Sequence, residues 1–280
     1  SSGAPPRTAI DMTQPLSDSE FALFQRFIFD AAGITLPSSK KALVSGRLAK
    51  RLRHHQLESY GEYFRLLHSG DHPAELQTAV DLLTTNETYF FREPKHFDFL
   101  RQQALAARGR TAMFRVWSAA SSSGEEAYSI AMVLADCLGS DTPWEVMGSD
   151  ISTRVLRGAQ RAHYSAERAR NIPASYLKRF CLRGTQEYQG TLLIDHALRS
   201  RVHFRQLNLN AALPQLGTFD IVFLRNVMIY FSDATKREVV ERVIATLKPG
   251  GHFLIGHSES LSDITQAVQA LAPSIYRKNP

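Results

Sequence analysis

The run Phe219-Asp-Ile-Val-Phe-Leu224 constrains this chain more than any other feature. It is β-branched and aromatic, the composition of a strand covered on both faces of a parallel sheet. It leads into Leu224-Arg-Asn-Val-Met-Ile-Tyr-Phe231. Ser232 and Asp233 then cap a helix running to about Leu247, closed by Pro249-Gly250-Gly251. In an open α/β sheet the ligand crevice lies beyond the C-terminal ends of the strands, which places Arg225, Asn226 and Tyr230 beside it.

The same alternation recurs upstream. Pro94 begins a helix to about Ala107, Phe114 to Trp117 reads as a strand, and the small-residue turn Ser118 to Gly124 precedes a helix from Glu125 to Leu138. Glu145 to Gly148 is a second strand ending in Ser149-Asp150, and His252 to Ile255 is another. Strands alternating with helices at this spacing predict βαβ units and a mostly parallel, Rossmann-like sheet. Asn171 to Phe204 breaks the rhythm. Its turn glycines Gly184 and Gly190, with Thr191 to Ile194 and Val202 to Phe204, suggest two or three antiparallel strands inserted as a small lobe. Such a lobe serves recognition or is a surface elaboration.

The region before residue 85 reads differently. Ser17 with Glu20 forms a capping box, followed by Phe21, Phe24, Phe27 and Ile28 at helical spacing, and Gly33 ends that helix. A second helix starts near Ser38 or Ser39, with Leu43, Val44, Leu48 and Leu52 inward. Ser59 with Glu62 repeats the capping signature, and Pro73 opens a fourth helix through Leu76, Val80 and Leu83. These helices are too short to stand alone, so a compact helical domain over residues 15–84 is expected ahead of an α/β domain over 85–280, with the inserted lobe at about 171–204. Residues 1–14 read as a flexible tail or a tag-derived leader.

Composition narrows the class. The chain has 44% hydrophobic and 21% charged residues among 280, with no apolar run of membrane-spanning length, so no membrane insertion is expected. Only Cys137 and Cys181 occur, which disfavours a disulfide scaffold and suits a reducing cytoplasm. The net charge of +6 is concentrated: no acidic residue lies between Asp30 and Glu58, where Lys40, Lys41, Arg47, Lys50, Arg51 and Arg53 fall. Such a block steers an anionic partner, or is simply a solvated helix face.

The residues that carry chemistry are polar groups at strand exits. Glu125 at a helix start would repel a phosphate and suits an ammonium or sulfonium, and Asp150 is placed to accept from ribose hydroxyls. No Gly-Lys-Ser or Gly-Lys-Thr phosphate loop is present. The junction Thr84 to Arg92 sets Asn86, Thr88 and Arg92 beside Tyr89, Phe90 and Phe91, an arginine fork with aromatic anchors or an interdomain linker stapled by them. Ten histidines include no His-Glu-x-x-His helix, and no metal site is expected. Gly256-His-Ser-Glu-Ser260 departs from the Gly-x-Ser-x-Gly nucleophile elbow, which argues against a hydrolase.

Taken in order, Thr85 to Arg92, Trp117 to Ser129, Gly148-Ser-Asp150, Phe204 to Leu209, Leu224 to Phe231, Leu247 to Gly251 and Ile255 to Ser260 closely resemble the bacterial chemotaxis receptor glutamate methyltransferases. The resemblance implies an N-terminal helical domain before an S-adenosylmethionine (SAM) dependent methyltransferase domain, forming glutamate methyl esters on cytoplasmic helices of chemoreceptors. It implies that Asn86, Thr88 and Arg92 hold polar groups of the cofactor, Glu125 its methionyl part, Asp150 the ribose, and Asn208 with Leu209 the adenine edge. Arg225 and Asn226 would line the cleft, and Arg92 and Tyr230 would face the reacting carboxylate. S-adenosylhomocysteine (SAH) is the implied product. The six basic residues would guide the acidic receptor helices, and the lobe near Arg183, Gly184 and Gly190 would dock a receptor C-terminal peptide. A cytoplasmic monomer recruited to receptor arrays follows, with no nucleic-acid partner. The chain departs from the family pattern at Leu224 and Ala127, where cysteine and proline are common. Two readings compete with this one. One is a methyltransferase acting on RNA or a small molecule, and the other a non-catalytic cofactor sensor.

Overall fold

The computed structural model describes residues 14–84 and 87–280. The chain divides into two units, Ser1–Thr85 and Asn86–Pro280. The expected tail lies outside the described residues but for Gln14, whose N–H donates to Glu58 O at 3.1 Å.

The first unit contains α1 (Asp18–Ala32), α2 (Lys41–His54), α3 (Tyr60–His68) and α4 (Pro73–Leu83). Ser17 and Glu20 form the capping box, and Gly33 closes α1 at φ 72°. The second capping signature is realised by half: Ser59 Oγ accepts from Glu62 N–H, while the Glu62 carboxylate takes the Glu58 N–H instead. Phe24, Ile28, Leu48, Leu52 and Tyr63 fill the interior. Leu43, expected inward, is exposed.

Of the six basic residues, three are engaged within this unit. Arg51 forks onto Glu75 with bonds of 2.8 and 2.5 Å, and Arg47 donates to the carbonyls of Leu82 and Thr84. Lys41 is paired with Asp18 at 2.7 Å. Lys40, Lys50 and Arg53 remain as the solvent-facing charges of the six. The reason is that a helix on the wall of a small bundle directs part of its polar face at neighbouring helices, and the partners lie far along the chain.

The second unit is built on a seven-stranded sheet ordered β6-β2-β1-β7-β8-β10-β9. Its strands are β1 (Phe114–Ser118), β2 (Trp144–Asp150), β6 (Val202–Gln206), β7 (Phe219–Leu224), β8 (Leu247–Ile255), β9 (Val268–Ala272) and β10 (Ile275–Lys278). Pairings from β6 through β8 are parallel; β10 joins β8 and β9 antiparallel. Side-chain alternation splits the core by face. Val116, Ile221, Phe223 and Leu254 pack with α5 (Pro94–Ala107) and α6 (Glu125–Leu138). Trp117, Val222, Leu224, Phe253 and Ile255 pack with α10 (Asp233–Ala245). The Rossmann-like class expected from the alternation is therefore the one observed.

The inserted lobe is a three-stranded antiparallel sheet ordered β3-β5-β4, from β3 (His163–Ser165), β4 (Cys181–Arg183) and β5 (Thr191–Ile194). It starts earlier than expected, and Val202 to Phe204 does not belong to it. That segment pairs in parallel with β2 as the edge of the main sheet, Phe204 opposite Gly148. A Cβ on Gly148 would run into the Phe204 ring, so the glycine allows that pairing. Between β3 and β4 lie a 3-10 turn (Ala166–Ala169) and α8 (Ala174–Phe180). The helices α7 (Thr153–Arg161) and α9 (His196–Arg199) lead into and out of the lobe.

Candidate cofactor and methyl-transfer site

Strand β1 lies between β2 and β7, so the direction of winding reverses there, and the crevice opens beyond its C-terminal end. The turn leaving β1 is pinned on both sides: Ala119 N–H donates to Phe223 O on β7, and Ser121 N–H to Ser149 O on β2, each at 2.8 Å. Trp117 Nε1 donates to Ser149 Oγ, which donates onward to Ala119 O. Ser122, at φ 49°, turns its N–H to the Asp150 carboxylate at 3.0 Å, while Ser152 N–H donates to the other Asp150 oxygen. Asp150 is thus fixed at the mouth of the crevice. Leu207 N–H donates to Asp150 O, which brings Asn208 and Leu209 to the same rim. Asn208 Oδ1 accepts from Asn210 N–H, and Leu209 O from Arg242.

The two adjacent glutamates at the start of α6 diverge. Glu125 is fully buried, and its carboxylate accepts from Ser123 Oγ, with Arg168 Nη2 at 3.8 Å. Burial raises its pKa above the ordinary carboxylate value, against the pull of the Ser123 hydroxyl and Arg168. Glu126 instead accepts from Ser118 Oγ and from Arg225 Nε, each at 2.7 Å.

Arg225 points inward. Its guanidinium is buried, donates to Glu126, to Arg92 O at 2.7 Å and to His96 Nδ1 at 2.9 Å, and lies over the Phe97 and Phe223 rings. The side chain of Arg92 is partly exposed, bonded to Glu87 O and placed over the Tyr89 ring. Thr88 is partly exposed in the same segment. Asn86 lies outside the described residues. Asn226 sits at φ 64°, its N–H held by Glu259 Oε1. Tyr230 ends a 3-10 turn (Met228–Tyr230), partly exposed, and its hydroxyl has no hydrogen-bond partner among the described residues.

Glu259, His96 and Glu126 were not singled out from sequence. Glu259 accepts four backbone N–H groups, from Asn226, Gly256, Met228 and Ile229, at 2.7 to 3.2 Å. The serine-containing string that resembled an elbow therefore works through its glutamate, as the clamp of the loop carrying Tyr230. The signal available in sequence was an acidic residue between two serines in the loop after a strand.

A buried carboxylate bonded to one serine hydroxyl, a fixed aspartate at a strand end and the buried Ser121 hydroxyl, unpartnered among the described residues, make a donor and acceptor set for a cationic ligand bearing hydroxyls. Two family models match. The CheR methyltransferase SAM-binding domain covers residues 86–276, and the CheR methyltransferase all-alpha domain covers 19–84. The chain belongs to the CheR methyltransferase family. It is 41% identical over 263 residues to the chemotaxis protein methyltransferase of Escherichia coli K12, covering 93% of this chain and 91% of that one. Similarity to chemotaxis protein methyltransferase 2 of Pseudomonas aeruginosa is 42% identity over 259 residues, 92% of each. As a CheR-family protein-glutamate O-methyltransferase, the chain binds SAM and methylates glutamate side chains on chemoreceptor cytoplasmic domains. The donor set above fits SAM, which presents an ammonium, a sulfonium and a ribose.

Proposed function

We propose that SAM is held by Asn86, Thr88, Arg92, Glu125, Asp150, Asn208, Leu209 and Asn226, and that Tyr230 and the Arg92 side chain face the receptor carboxylate. The observation that carries this reading is the pinned β1–α6 turn at the strand-order reversal, with Glu125 buried at one end and Asp150 bonded to its middle. SAM supplies an electrophilic methyl on a sulfonium. The target glutamate is already an anionic nucleophile at neutral pH, with a reference pKa of about 4.3, so the chain needs no strong base. Its task is to desolvate and align that carboxylate, which is a matter of position rather than proton transfer. The Tyr230 hydroxyl, unengaged among the described residues, is free to bond one carboxylate oxygen. Arg225 belongs to the support: through Arg92 O and Glu126 it fixes both walls at once.

Tyr230→Phe is expected to lower the single-turnover rate at least tenfold while calorimetric SAH affinity changes less than threefold. An unchanged rate removes Tyr230 from the reaction. In the same reading the exposed Lys40, Lys50 and Arg53 guide the acidic receptor helices, and the lobe docks a receptor C-terminal peptide by strand addition near Arg183, Gly184 and Gly190. The exposed Leu182 and Tyr188 border that edge and support it. Recruitment to receptor arrays in the cytoplasm is the corresponding localisation.

A further inference from the structure

We propose that Arg168, carried by the inserted lobe, is a positioning residue of the cofactor site and acts through Glu125. The proposal rests on the assignment of Glu125 to SAM.

The lobe is joined to the β1–α6 turn at two points. Tyr164 on β3 donates its hydroxyl to Ser123 O at 2.6 Å, and a Cβ on Gly124, which sits at φ 99°, would meet that hydroxyl at 2.8 Å. Arg168, in the 3-10 turn directly after β3, extends Nη2 to 3.8 Å from Glu125 Oε2. The pairing is asymmetric. The Arg168 side chain is 47% exposed and the carboxylate fully buried, and the separation is too long for a hydrogen bond. Arg168 also lines a cleft of about 800 Å³ with Phe91, Phe97 and Arg170.

A fully buried carboxylate with one hydroxyl donor is under-compensated. Among the described residues, the ionisable groups facing it are Arg168 and Tyr164 from the lobe; Glu126, next along α6, turns away to Ser118 and Arg225. Arg168 is therefore the cation that keeps Glu125 ionised, close enough to act through the field and too far to occupy the oxygens that a ligand ammonium needs. The lobe thereby completes the cofactor site. The backbone carries this link further, since Ala166 N–H donates to Gly190 O in the loop between β4 and β5, two residues from Arg168.

The test is calorimetric SAH binding by the full chain from pH 5 to 8. Wild type is expected to lose affinity as Glu125 protonates. Arg168→Gln moves the midpoint of that loss upward by at least half a pH unit, and Arg168→Lys restores it. Glu125→Gln removes the pH step, and on that background Arg168→Gln produces no further shift. A wild-type midpoint in Arg168→Gln, with the step still abolished by Glu125→Gln, overturns the role of Arg168 while leaving the site reading intact. Unchanged affinity and pH step in Glu125→Gln overturns both.

Discussion

At single residues, the site is held from behind by groups that the ligand never needs to touch. The Glu259 carboxylate gathers four N–H donors of the loop bearing Asn226 and Tyr230. Glu259→Gln turns one acceptor oxygen into a donor facing two of them. This variant is expected to lose roughly 3 kcal/mol of stability in urea unfolding, with a parallel fall in turnover. His96 is a second such group. Burial, then the Arg225 guanidinium and His257, outweigh Glu93 and push its pKa down to about 4. Its Nδ1 accepts from Arg225, so the ring is neutral with the proton on Nε2, bonded to Ser274 Oγ at 2.8 Å. The unfolded ring titrates near about 6.5. Between that value and about 4 the unfolded chain binds the extra proton, so stability falls as pH drops through this window. His96→Asn should flatten that part of the stability–pH curve, measured by urea midpoints at successive pH values.

Among the elements, α2 and α4 share the most exacting contact of the helical unit. Burial alone would raise the pKa of Glu75, but hydrogen bonds from Arg51 and Tyr63, with His55 Nε2 at 3.0 Å, overcome it and hold the group at about 2. The resulting stability is complete above the ordinary carboxylate pKa and is lost as pH falls toward 2. Arg51→Met strands a carboxylate that is 6% exposed and should cost about 3 kcal/mol or more, read as unfolding of the helical unit at lower urea. What was legible in sequence follows the same division. The capping box at Ser17, the helix Glu125 to Leu138 and the strand Phe219 to Leu224 are written in neighbouring residues and were found as expected. Val202 to Phe204 was placed in the wrong sheet because its partner, β2, lies more than fifty residues earlier. The inward turn of Arg225 and the commitments of Arg47 and Arg51 were hidden for the same reason: their partners are distant in the chain, and charge in a sequence carries no direction.

Over the whole molecule, charge and cofactor chemistry should separate experimentally. In the proposed reading, long-range attraction between Lys40, Lys50, Arg53 and acidic receptor helices would be screened by salt, whereas a buried cofactor contact would be screened far less. Receptor methylation at subsaturating receptor is therefore expected to fall severalfold between low and physiological salt, and further in Lys50→Glu with Arg53→Glu. SAH affinity should stay within twofold under the same changes, and an equal loss of both would indicate damage to the fold.

The strand order also sets a schedule. Because β10 lies between β8 and β9, the segment synthesised last among the strands occupies an interior position. Until Ile275–Lys278 are in place, β9 has no neighbour in the sheet and the edge of β8 lies open. Completion of this side of the sheet therefore waits on β10, and until then the exposed edge of β8 is the surface a chaperone would have to protect.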